Sequence, residues 1–161
     1  MPFPLLRVTW APMLWLAVAP GLFQGAQDRF IEPPNPPLSS PVGRWKTVDD
    51  VTGKVKSIVA IREVKGELDG TIETLFNPPV PHPTCNLCSG ALKDRPLMGL
   101  QILWGFTQDG NQWSGGRVLD PESGKIYHAT LVLEDGGKQL RLRGYIGVPL
   151  LGRTEHWLRV E

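Results

Sequence analysis

Turn-forming residues punctuate this chain at short intervals from Asp49 to Gly152, and no other feature restricts its fold as much. Between the turns lie strand-like runs rich in β-branched and aromatic residues. Arg44–Val48 precedes Asp49-Asp-Val-Thr-Gly-Lys54, and Val55–Val64 precedes Lys65-Gly66. Gly70–Phe76 precedes a longer interruption, after which Gly99–Thr107 reaches Asp109-Gly110. Asp-Gly is a strong hairpin signal because both residues tolerate positive φ. Gln112–Leu119 leads to Asp120-Pro-Glu-Ser-Gly124, and Lys125–Glu134 leads to Asp135-Gly-Gly137. Lys138–Ile146 turns through Gly147-Val-Pro149 and Gly152 into Arg153–Val160.

Eight runs with mostly short connections predict an all-β antiparallel meander, because short connections force antiparallel neighbours. Pairing the first strand with the last hides both edges, so the expected fold is an eight-stranded up-and-down barrel. A two-sheet sandwich is the competing architecture. Alternation marks one buried face: Leu140, Leu142, Gly144 and Ile146 oppose Arg141, Arg143 and Tyr145. Leu100, Ile102, Trp104 and Phe106 likewise oppose Gln101 and Thr107. Trp45, Trp104, Trp113 and Trp157 read as core.

Ahead of the barrel, residues 1–26 read as a signal peptide. Arg7 is the only charge before Asp28, an apolar stretch runs from Trp10 to Ala19, and small residues Gly25 and Ala26 follow. A spanning helix needs about 20 apolar residues, and Pro12 and Pro20 bracket this stretch too closely. An uncleaved anchor is the alternative. Residues 27–41, with Glu-Pro-Pro-Asn-Pro-Pro-Leu-Ser-Ser-Pro, read as a proline-rich linker, leaving 42–161 as one barrel domain. The expected location is therefore the periplasm, with no membrane contact after cleavage. The full chain has 17 basic and 16 acidic residues; removing Arg7 leaves 16 of each. A neutral chain without a basic run has no electrostatic footprint for nucleic acid.

The interruption at 77–98 holds both cysteines, Cys85 and Cys88. In an oxidising compartment they most simply pair with each other as a small loop-shaping disulfide. A redox site lacks its βαβ context, and haem attachment fails because Ser89, not His, follows Cys88. Zinc or copper would recruit His82, with His128, His156 or an acid as fourth ligand; no metal or other cofactor is expected. Arg143, Tyr145, Arg141 and Arg153 cluster near one barrel end, facing solvent or holding the polar head of a ligand. Asp120-Pro-Glu-Ser-Gly124 reads as a turn. No Ser-His-Asp set, phosphate loop or paired-carboxylate motif stands out, so the chain reads as no enzyme.

From Gly43-Arg-Trp45 to His156-Trp-Leu-Arg159 the chain resembles the bacterial domain-of-unknown-function family 2147, small exported proteins with a lipocalin-like barrel. The matching blocks are Gly-Arg-Trp-Lys-Thr-Val-Asp at 43–49, Cys85-x-x-Cys88-x-Gly90 and Met98-Gly-Leu100. They continue with Trp113-Ser-Gly-Gly-Arg-Val-Leu-Asp-Pro121, Gly124-Lys-Ile-Tyr127, Leu142-Arg-Gly-Tyr-Ile-Gly147 and Gly152-Arg-Thr154. The resemblance implies no activity. Its lipocalin side implies that Arg159 packs over Trp45 to close the barrel's end. Two functions stay open. One is a barrel binding a small, partly apolar ligand; the other is a filled barrel offering the cysteine loop to a protein partner.

Overall fold

The computed structural model describes residues 39–49 and 52–160. The signal segment and most of the proline-rich stretch lie outside the described residues. Among the described residues eight strands follow in order: β1 (Gly43–Val48), β2 (Val55–Val64), β3 (Glu67–Leu75), β4 (Gln101–Asp109), β5 (Gln112–Asp120), β6 (Lys125–Glu134), β7 (Gln139–Tyr145) and β8 (Arg153–Arg159). Each pairs antiparallel with its sequence neighbour, and β1 pairs with β8 through Trp45–Arg159 and Lys46–Leu158, closing the barrel. Closure is the expected outcome of short turns between strands that would otherwise leave two bare edges. No helix among the described residues is long and apolar enough to cross a membrane.

The two ends of the barrel differ. At the base lie the tight β2–β3, β4–β5 and β6–β7 turns, with the chain entering β1 and leaving β8. The interior there is filled by Trp45, Ile61, Leu68, Phe106, Leu131 and Leu140, all buried. Trp45 donates its indole N–H to the Pro41 carbonyl (2.7 Å). The Arg159 guanidinium lies over the Trp45 ring, 4.3 Å from its centroid. Its Nε donates to Gly137 O (2.7 Å), Nη1 to Val42 O (3.0 Å) and Nη2 to Ser40 O (2.7 Å). One cation thus ties the entering strand, the β6–β7 turn and the indole together. Burial lowers its pKa from the ordinary value, and the three carbonyls replace the water it loses. Ser40 and Pro41, assigned by composition to the linker, are therefore part of the base, and Pro41 is fully buried.

Strand bounds agree with the sequence reading within a residue or two for β1, β2, β5, β6, β7 and β8. β3 begins three residues earlier than Gly70, at Glu67. β4 breaks the expected alternation. Its pairing with β3 shifts register on either side of Gly70, and Leu103 is buried while Trp104, opposite Arg117, is only half-buried. Trp104 therefore leaves the inner face that strict alternation assigned to it, because the irregular pairing puts both Ile102 and Leu103 inside.

Candidate functional site

The mouth end collects the β1–β2 turn, the long 76–100 connection, the β5–β6 turn and the β7–β8 connection. Between them and the filled base lies a cavity of about 910 Å³. The apolar part of its wall includes Ile72 from β3, Ile102 from β4, Val118 from β5, and Leu142 and Gly144 from β7. Gly144 matters for the space: a Cβ there would make only ordinary contacts, 3.5 Å from Tyr127 Cβ and Val118 Cγ1. Any longer side chain would point onward into the cavity.

The polar groups that the strands bring to the wall are placed by register, and the mouth turns add Asp49, Asp120 and Glu122. Thr47 and Ser57 face each other across β1 and β2, with their hydroxyls 2.7 Å apart. Tyr127 pairs with Val118 and lines the same wall. The inner column of β8 is Arg153, Glu155, Trp157 and Arg159, which pair with Gly144, Leu142, Leu140 and Trp45. Descending it, Arg153 stands exposed at the rim, Glu155 is half-buried, Trp157 is buried and Arg159 seals the base. The Trp157 indole N–H donates to Glu155 Oε2 (3.1 Å).

The 76–100 connection forms one side of the mouth through Pro79, Val80, His82, Pro83 and Asn86. It is ordered by backbone bonds within itself, Cys85 N to Arg95 O (2.8 Å) and Leu97 N to Pro83 O (2.9 Å), and by one to β3, Gly99 N to Ile72 O (2.9 Å). The Sγ atoms of Cys85 and Cys88 stand at disulfide distance. Both cysteines are buried and join the barrel's apolar core. The connection presses on the β5–β6 turn, where a Cβ at Gly124 (φ 68°) would fall 2.0 Å from Leu87 O. The pair read from sequence as shaping only its own loop is packed into the core, where the apolar cysteines fill the space beside Pro121 and Gly124.

Of the residues singled out from sequence, Arg153 and Tyr145 line the mouth, and Arg141 and Arg143 do not enter it. β7 alternates, so the side of Leu140, Leu142 and Gly144 is inner and the arginines are outer. Arg141 pairs with Glu134 (2.5 Å), which also has His156 at 3.7 Å. Arg143 donates to Pro149 O (2.8 Å), Leu150 O (3.1 Å) and Thr154 Oγ1 (2.8 Å), pinning the β7–β8 connection at the rim. That connection leaves Leu150 and Leu151 more than four-fifths exposed beside the mouth. Tyr145 stacks on His128 (5.9 Å between centroids). His82 lines the cavity, yet among the described residues no three His, Cys, Asp or Glu side chains gather as a metal site. Glu155, Tyr127, Thr47 and Ser57 escaped the sequence reading, whereas Trp157, read as core, is buried. The signal for Glu155 was the two-residue step along β8 from Trp157 and Arg159.

The comparisons with known proteins follow the same outline. A profile of the family described as "Uncharacterized protein conserved in bacteria (DUF2147)" matches residues 43–159. No curated protein matches the chain. Among solved structures it is similar to a protein of the human pathogen Helicobacter pylori that is described as belonging to the lipocalin family. That likeness has a TM-score of 0.66 at 19% identity, covering 76% of this chain and 84% of the other. At that identity the likeness is one of fold.

Proposed function

The chain belongs to a bacterial family of uncharacterised proteins, DUF2147, and from that premise we propose that it is a non-enzymatic binding protein holding a small, partly apolar ligand in the mouth half of its barrel. The observation that carries the proposal is the cavity of about 910 Å³. Ligand pockets run from roughly 300 to 1,000 Å³, mostly apolar with a few placed polar groups. Thr47, Ser57, Tyr127 and Glu155 are such groups beside the aliphatic wall residues, and Asp49, Lys56, Asp120 and Glu122 line the cavity as well. Rim residues Arg153 and Tyr145 belong to the same site. A barrel acting only through its loops has no need of this space, and a filled interior would have removed it.

The same proposal puts the protein in the periplasm. The apolar segment at 1–26 and the cysteine pair at disulfide distance both fit an oxidising compartment reached by export. Native mass spectrometry of protein released from the periplasm of producing cells tests both parts. The expected result is a chain beginning at Gln27, with Cys85 and Cys88 oxidised and a small-molecule adduct retained. Gly144→Phe, which extends a ring into the cavity, should remove the adduct. Protein confined to the cytosol would overturn export, and equal adducts on both forms would overturn the site.

A further inference from the structure

We propose that the ligand is an amphiphile whose head is an amine or ammonium group, with that head paired to Glu155 and its apolar body in the cavity. The inference rests on the binding reading above and specifies its ligand. Glu155 is the acidic side chain that the β8 column carries inward, at mid-depth between the exposed rim and buried Trp157. Leu142 is its cross-strand partner, and Ile72, Ile102 and Val118 line the same cavity. Among the described residues its carboxylate receives one hydrogen bond, from the neutral Trp157 indole, and no Lys, Arg or His lies within ion-pair distance.

A carboxylate has about four acceptor positions on its two oxygens. One neutral donor leaves most of that capacity to water while the cavity is open. An apolar ligand body expels that water, and a carboxylate stripped of water without a donor or cation is heavily penalised. The ligand itself must then supply the donors. An ammonium head does so with a charge-assisted bond; a carboxylate or phosphate head would set like charges against each other. The cations of the rim do not reverse this preference. Lys56 is tied to Glu122, and Arg153 is engaged in an interaction of its own.

The test is displacement of Nile red, a neutral apolar dye, by dodecylamine, lauric acid and dodecan-1-ol, which share one tail and differ in the head. Wild-type protein should bind the dye saturably and prefer the amine over the acid by about tenfold or more. Glu155→Gln keeps the shape and the acceptor for Trp157. It should erase the amine preference and leave dodecan-1-ol unchanged. Equal or tighter binding of lauric acid by the wild type overturns the inference, whether or not the variant folds. An amine preference that survives Glu155→Gln overturns it as well. In both cases saturable dye binding leaves the broader binding reading standing, whereas failure of the dye and all three amphiphiles removes both.

Discussion

A Cβ on Gly43 would stand 2.7 Å from Nη1 of Arg159, and the backbone there has φ 142°. The glycine two residues before Trp45 is thus explained by the cation that crosses it, not by the strand. Two costs fall on Gly43→Ala, backbone strain and collision with the guanidinium, together about 2 kcal/mol or more. Arg159→Ala loses the stack on Trp45 and the bonds to three carbonyls, about 2–3 kcal/mol. Because Gly43→Ala collides only while the arginine is present, the double variant should cost less than the sum of the singles. Denaturant melts of the four proteins measure this, and strict additivity would mean that the guanidinium does not cross Gly43. The stack of Arg159 on Trp45 was legible through the resemblance to lipocalins, but its crossing of Gly43 was not. Nor was Glu155. The strand reads Arg-Thr-Glu-His-Trp-Leu-Arg, and the two-residue step back from Trp157 and Arg159 places Glu155 on the inner side, a step the sequence reading did not take.

The long 76–100 connection shows what a turn-by-turn reading leaves out. Its length and prolines announced a loop, but nothing local revealed that Cys85 and Cys88 would be buried against Pro121 and Gly124. That contact depends on the β5–β6 turn, far away in sequence. The β4 register had the same character, since its shift answers the pairing around Gly70 and not the sequence of β4. Burial changes the expectation for the cysteines. A disulfide closing so small a ring contributes roughly 2 kcal/mol by loop entropy. Cys88→Ser alone would also place a hydroxyl in an apolar site, at a further cost of about 1–3 kcal/mol. Cys85→Ala/Cys88→Ala avoids the hydroxyl. The barrel should stay folded, with hydrogen exchange accelerated at the amides of Cys85 (now Ala), Asp94 and Leu97, which bond within the connection. If exchange accelerates equally across all eight strands, the connection is inseparable from the barrel's cooperative core.

At the scale of the whole molecule, barrel closure was readable from the turns, whereas the hollow half was not. Alternation reports which residues face inward but not whether they meet in the middle. Two leucines two positions apart on β7 separate the halves. Leu140 is fully buried beside Trp157 and does not line the cavity, while Leu142 lines it opposite Glu155. Truncating a leucine in a filled core removes its transfer energy and also opens a void, costing about 3–5 kcal/mol. Where space is already present, the void term largely disappears and about 1.5–2.5 kcal/mol of transfer energy remains. Leu140→Ala should therefore destabilise the protein clearly more than Leu142→Ala, although the two residues share a strand, a face and nearly the same burial. Binding should respond in the opposite order, with Leu142→Ala weakening Nile red binding and Leu140→Ala leaving it nearly unchanged. Equal stability losses in chemical denaturation would mean that the mouth half collapses in solution to the packing of the base. The space that the binding proposal requires would then be absent, and Leu142 would be packed as Leu140 is.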